Sequence, residues 1–552
     1  MKPRTRRLDR TQAMKHPRLG LSLAVLCVVL AAFFESCLPY HFAEANKPPS
    51  ASFLGQVAHT TDQNMYFSFI RQAYDGNIVF NNRLTATPNS GAFVNLQFLA
   101  VGRAMRLFHL SENVVYQVWR FAGVLFLALG FALLSLIALP SLSKRLAALC
   151  VFILGGGFGA FLWFAGAHDL LSRETTFRLT PDLWSGLLPF QQLMCNPHFS
   201  LPHGLMLIGC ALFLLAEIRA QSVWLYVASG TIFLVNGFVR PYDLISLAVV
   251  IPVFIASEAI RRFDWRACAL RAIPLAIMLP ALVYSIWLFE YHPIFKYWSQ
   301  QGHNIQFMPS PHIQMFSYGI IGLLAIGRIL QFRSNPLSLI ERFLLVWFVG
   351  IFFCVHLGSI IPALGFSPQN SIPLFAPLVL FTFSLRLRLR GFHRGLFIAV
   401  IAVLLAIGNV GGLAHSWRPF FSTADSQNYY ATADETAALG WLDKNVGPGG
   451  VVLALPPVSG RISKYTSASS LVGHHSVTPH YNSVLVQVRR VLAARQFTPS
   501  QHRMLRELGA DYLFVGPQEQ RSLGFDPNTA PGLARVFAQG SVAIYKVESA
   551  AE

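Results

Sequence analysis

The opening stretch MKPRTRRLDRTQAMKHPRLGLSLAVLCVVLAAFF (residues 1–34) places seven Lys and Arg in residues 1–18 and then turns apolar without interruption. The apolar run reaches about 20 residues, enough to cross a hydrocarbon core of roughly 30 Å. No small-residue cleavage site follows it, so it reads as a retained first membrane span and not as a removed signal. The basic tail, residues 1–18, then belongs on the cytoplasmic side.

The remainder of the chain extends this reading. Of 552 residues, 54% are hydrophobic, 13% aromatic and only 12% charged, with a mean hydropathy of +0.48, whereas a soluble domain carries roughly 25% charged residues. That is the composition of a polytopic α-helical membrane protein. A formal net charge of +18 would suggest nucleic acid in a soluble chain. Here the basic residues cluster between apolar runs, so the charge reports topology and no nucleic-acid partner is expected. Cys27, Cys37, Cys150, Cys195, Cys210, Cys268 and Cys354 are scattered, with no spacing for a disulfide framework or a zinc site. Neither a metal nor a cofactor is expected.

Apolar stretches of span length fall at 19–40, 115–139, 146–167, 201–217, 223–239, 244–260, 272–290, 312–330, 343–360, 372–385 and 395–415, about 11 transmembrane helices in all. With the N-terminus inside, the cytoplasmic connections SKR, EIRAQ, IRRFDWRACALR, RILQFRSNPLSLIER and RLRLRGFHR hold 14 Lys and Arg. The short outside connections hold only Arg173, Arg178, Arg240 and Lys296, which is the positive-inside pattern. The expected organisation is a membrane domain over 19–417, with outside loops at 41–114 and 168–200. A small extracytoplasmic α/β domain follows over 418–552. In that tail DETAALGWLDKNV and SQHRMLRELGA read as helices, and GVVLALP, DYLFVG and VAIYKV as strands.

The first outside loop contains HTTDQNMYFSFIRQAYDGN (59–77), in which Tyr66, Phe69, Ile70 and Ala73 share one helical face. This predicts a helix lying in the interface or on top of the bundle, with Asp62 at its start. One reading makes Thr61 or Asp62 an N-cap. The other makes Asp62 a catalytic carboxylate, a weak base near a helix N-terminus that suits late proton transfer in substitution at a sugar carbon. The second outside loop contains LMCNPHFSLPHGL (193–205), whose Asn196 and His198 can donate hydrogen bonds to a phosphate or sugar, or simply open an interfacial helix with His203. His168 and Asp169, ending the third span, lie in a comparable place. In NGFVRPYDL (236–244) Arg240 stands on the outside against the charge trend. It is either the structural partner of Asp243 or a phosphate ligand, for which the guanidinium fork is suited. Lys296 and His303 of YHPIFKYWSQQGHN (291–304) are candidates to close over the same site. In LVGHHSVTPHYN (471–482), His474, His475 and His480 follow a strand without zinc-helix spacing; they fit a structural loop or an acceptor contact.

TDQNMYFSFIRQAYDGN (61–77), followed by GAFVNLQFLAVGRAMRLFHLSENVVYQVWR (91–120), resembles the first extracytoplasmic loop of the class C (GT-C) glycosyltransferases. These are polytopic enzymes related to protein O-mannosyltransferases and aminoarabinose transferases. The Asn-Pro-His-Phe element at 196–199 also resembles that class. The resemblance implies transfer of a sugar from a polyprenyl-phosphate carrier to a glycan, lipid or protein acceptor at the extracytoplasmic face of a bacterial inner membrane. It assigns the base to Asp62, although many members have two adjacent acids and here Thr61 precedes. Arg240, His198 and Asn196 would then hold the donor phosphate, and Tyr66, His168, Asp169, Lys296 and His474 would line the site. An O-antigen-type polymerase or ligase predicts arginine-rich outer loops. A transporter or scaffold predicts charges buried mid-span. The chain shows little of either.

Overall fold

The computed structural model describes residues 17–548 apart from 167–174, 176–177, 184–185, 300–308, 332–334, 362–365, 386–390 and 418–425. Among the described residues, seven helices are long and apolar enough to span: Ser22–Ala45, Glu112–Ala138, Pro197–Ile218, Pro241–Arg261, Trp265–Tyr291, Leu339–Gly358 and Gly395–Trp417. Pro311–Ser317 and Gly319–Leu330 make an eighth if a pair bent by 108° counts as one. Every apolar stretch found in the sequence contains helix, but several are interrupted and the count of eleven is not reproduced. Val223–Gly237 is short. The stretch 146–167 is divided between Leu142–Leu154 and Gly159–Phe164, and 372–385 between a 3-10 turn at Pro368–Leu374 and Phe375–Phe383.

The two breaks in the helices meet. A Cβ on Gly157 would lie 2.0 Å from the carbonyl oxygen of Ser317, so only glycine lets these backbones touch. Gly319, on the far side of the bend, adopts φ +61°, a conformation glycine reaches without penalty. Composition alone cannot distinguish such a crossing from a continuous span.

At one end of the bundle the connections rich in Lys and Arg are fastened by ion pairs: Arg271 to Glu217 at 2.7 Å, Arg342 to Glu258 at 2.6 Å and Arg328 to Glu341 at 2.7 Å. The opposite end carries the Thr60–Asp75 helix. It covers a second, aromatic core built from Phe69, Phe80, Phe93, Phe98, Tyr116 and Trp119. Its polar residues Gln63, Asn64, Ser68 and Gln72 are buried as well, because the C-terminal domain roofs it through the Val458–Tyr465 helix. The helix therefore lies on the bundle top, covered on both sides.

The C-terminal domain is a five-stranded sheet in the order β4-β3-β5-β7-β6, with β3 (Val451–Leu453), β4 (Ser469–Ser470), β5 (Tyr512–Val515), β6 (Leu533–Gln539) and β7 (Val542–Val547). β3 runs parallel to β4 and β5, while β7 is antiparallel to β5 and β6. Alternation along the strands buries both faces: Val451, Leu453, Leu513 and Val515 pack with Val488, Val491 and Leu505, and Val452, Phe514 and Ile544 with Leu439, Leu442 and Ile462. The helices and strands expected in the tail are present. β4, β6 and the helices Val458–Tyr465 and Tyr481–Leu492 add to them.

This domain and loop 41–114 form one structure. β1 (Ala51–Phe53) pairs antiparallel with β2 (Tyr430–Thr432). The amides of Ser470 and Gly473 donate to the carbonyls of Arg83 and Leu84 at 2.9 and 3.1 Å. Arg71 joins Asp75 and Asp443, each at 2.9 Å, and donates to the Tyr465 carbonyl at 2.8 Å.

Candidate functional site

Asp62 lies in the first turn of the Thr60–Asp75 helix, whose N-cap position is held by His59 at φ +49° without a side-chain cap bond. The capping role open to Thr61 or Asp62 is thus not taken up. Instead, Oδ1 of Asp62 stands 2.9 Å from Nε2 of His474, and the Asp62 side chain remains 38% exposed while His474 is 1% exposed. Nδ1 of His474 accepts the backbone N–H of Ser476 at 3.1 Å. An amide can only donate, so Nδ1 carries the lone pair and Nε2 the proton; His474 donates and Asp62 accepts as a carboxylate. Burial pushes the Asp62 pKa up, but the hydrogen bond donated by His474 outweighs it and holds the carboxyl below the usual carboxylate range.

One turn along, Tyr66 opens onto a cavity of about 210 Å³ that also receives His198 and Arg240. Burial, and then the Asp62 charge, keep the Tyr66 hydroxyl protonated. His198 sits between Tyr66 and Phe199, each 4.1 Å away by ring centroids, and among the described residues neither of its ring nitrogens has a hydrogen-bond partner. Its position follows from the chain around it. The Pro189–Cys195 helix stops at Asn196, and Pro197 starts the next helix. Gln63 and Tyr116 pin that joint by donating to the Cys195 carbonyl at 2.6 and 2.7 Å.

Of the two readings the sequence left open for Arg240, the structure shows the pairing with Asp243. Its Nη2 donates to the Gln369 carbonyl at 2.7 Å. Nε is buried without a partner among the described residues, and the guanidinium lies over Phe199 at 5.1 Å. Ile245, Leu282 and Ile286, all on spanning helices, supply an apolar wall, and Phe289, Glu290, Trp298 and Ser299 line the cavity as well.

The structure therefore gathers Tyr66, His198 and Arg240 in one cavity, with Asp62 and His474 beside it. Asn196 and Lys296 do not line it: Asn196 is a buried joint near Gln63, 3.5 Å away, and Lys296 lies over the ring of its neighbour Tyr297. His168, Asp169 and His303 lie outside the described residues. His203 bonds Gln192 at 3.2 Å inside the bundle. His480 bonds the Tyr297 hydroxyl at 3.1 Å. Sequence reading missed Gln63, Glu290, Trp298 and Ser476. Glu290 carried a signal, since it is an acid closing an apolar stretch; Ser476 acts through its backbone and carried none.

The model of a family of unknown function, DUF6541, matches residues 376–549. No curated protein matches the chain. The oligosaccharyltransferase AglB of Archaeoglobus fulgidus, solved with an inhibitory peptide and a dolichol-phosphate, aligns at 13% identity over 89% of this chain and 69% of its own, with a TM-score of 0.50. The apo form of the oligosaccharyltransferase from the same organism aligns at 12% identity over 96% and 75%, also at 0.50. ArnT of Cupriavidus metallidurans, bound to undecaprenyl phosphate, aligns at 14% identity over 97% and 99% with a TM-score of 0.48. The chain has the fold of the class C glycosyltransferases, a polytopic helical membrane protein with a small sheet-containing domain at its C-terminal end.

Proposed function

We propose that this chain is a membrane glycosyltransferase that moves a sugar from a polyprenyl-phosphate carrier to an acceptor hydroxyl at the extracytoplasmic face. The observation that carries this reading is the ionised Asp62, oriented by His474, standing beside a membrane-level cavity with unpartnered donors on His198 and Arg240. The dolichol-phosphate in the archaeal enzyme of the same fold supports it.

In this account the lipid phosphate sits against Nε of Arg240 and a ring nitrogen of His198, with its first isoprene units along Ile245, Leu282 and Ile286. The acceptor oxygen attacks the anomeric carbon. The bond from that carbon to the phosphate oxygen breaks, with its electron pair leaving on the phosphate, and the acceptor proton passes to Asp62. A carboxylate of low pKa is a weak base, adequate where the transition state is oxocarbenium-like and the proton moves late. The donors are fixed where negative charge develops on the leaving group. The acceptor is a glycan, lipid or protein.

The test is incubation of the purified chain with labelled polyprenyl-phosphate sugars and a membrane extract. Label should leave the carrier lipid and appear in an acceptor fraction. Retention of all label on every donor would contradict the reading.

A further inference from the structure

The polar end of the cavity accounts for a phosphate and the Ile245, Leu282 and Ile286 wall for a hydrocarbon chain, but neither accounts for the cavity's remaining lining. The Trp265–Ile286 helix does not end normally. It continues as a single π turn over Trp287–Tyr291, and Phe289 and Glu290, both on that turn, line the cavity. A π turn is a costly local geometry that recurs at functional sites. Trp298 and Ser299, from the following loop, line the cavity too. The Trp298 ring is held by Phe69 at 6.1 Å, Phe93 at 5.6 Å and Phe289 at 5.8 Å. One oxygen of Glu290 accepts the Ser299 hydroxyl at 3.1 Å.

Among the described residues, Glu290 is the one carboxylate lining the cavity. Among the described residues no Lys or Arg pairs with it, and its Oε2 has no protein donor. An ionised carboxylate only accepts. It is repelled by a phosphate and gains nothing from hydrocarbon, so what belongs beside it is a neutral group rich in hydroxyl donors. A fixed indole offers the apolar face of a sugar ring a matching surface. We propose that Glu290 and Trp298, with Ser299 orienting the carboxylate, form the subsite that grips the hydroxyls of the carrier-linked sugar. This rests on the lipid-phosphate reading above and adds the part of the cavity that distinguishes a loaded carrier from a spent one.

The experiment compares binding of bare undecaprenyl phosphate with that of undecaprenyl-phosphate-linked glucose, mannose and arabinose to purified wild type and Glu290→Gln. Wild type should bind at least one sugar-loaded lipid more tightly than the bare lipid. Glu290→Gln should weaken that complex by about tenfold or more, the scale of a hydrogen bond to a charged group, and leave bare-lipid affinity no weaker than in wild type. Equal affinities of wild type for loaded and bare lipid, or an equal loss for both in Glu290→Gln, would overturn the subsite. Absence of bare-lipid binding to wild type would overturn the lipid-phosphate reading and the subsite with it.

Discussion

His474 reaches Asp62 across 412 residues of sequence, and the backbone of Ser476 fixes which of its nitrogens carries the proton. The C-terminal domain thus supplies part of the environment of the carboxylate that the membrane domain presents. If Asp62 is the base, removing His474 costs about 1.5–3 kcal/mol of orientation and charge stabilisation, or roughly 10- to 100-fold in turnover. His474→Ala should show that loss mainly in kcat, and His474→Gln, whose amide can still donate, should recover part of it.

The same pair sets a pH response. Because the Asp62 carboxyl is held below its ordinary range, the stabilisation it brings is present above the unfolded carboxylate pKa and is lost as pH falls through the lower folded value. Activity should therefore hold well into the acid range in wild type. In His474→Ala the acid limb of kcat should move to higher pH, a shift that a purely structural role for His474 would not produce.

His198 offers a separation of stability from function. Among the described residues neither ring nitrogen has a hydrogen bond that a substitution could break, and the ring packs between Tyr66 and Phe199. His198→Phe should change the thermal midpoint by no more than about 1 kcal/mol equivalent while weakening undecaprenyl phosphate binding. Unfolding of this variant instead would mean that the imidazole is needed for packing alone.

Lys464 sits 2% exposed at the seam between the two domains, its ammonium 5.0 Å from the Phe67 ring and 4.7 Å from that of Tyr465. Burial lowers its pKa to about 7. Above that value and up to the free-lysine pKa, the unfolded chain holds a proton that the folded chain has released. Stability from this site therefore falls as pH drops through that window and is fully lost below it. Lys464→Met should stabilise the protein by about 1–3 kcal/mol near neutral pH and flatten the rise of the thermal midpoint between neutral and alkaline pH.

How much of this was readable beforehand depends on how local the determinant is. Basic clusters and apolar length gave the membrane class, and short apolar runs around Val451–Leu453 and Tyr512–Val515 gave buried strands, because those signals are contiguous in sequence. The eleven-span count was not reproduced where Gly157 meets Ser317 and Gly319 turns the chain, since a backbone crossing is a tertiary event. Asp62, His198 and Arg240 stood out as polar groups at the ends of apolar stretches, whereas Tyr66 read as part of an apolar helical face. Their grouping, and the role of His474, depend on pairings such as β1 with β2 that no local pattern encodes. Asn196 and Lys296 were chemically reasonable, but the fold turned them elsewhere.

The most direct measurement is transfer of labelled sugar from polyprenyl-phosphate donors by wild type and Asp62→Asn, with thermal midpoints taken in parallel. The expected result is transfer by wild type and a loss of about 10²–10⁴-fold in the variant, the range of a positioned general base, with folding retained. Equal transfer by a folded Asp62→Asn would contradict the role given to this carboxylate.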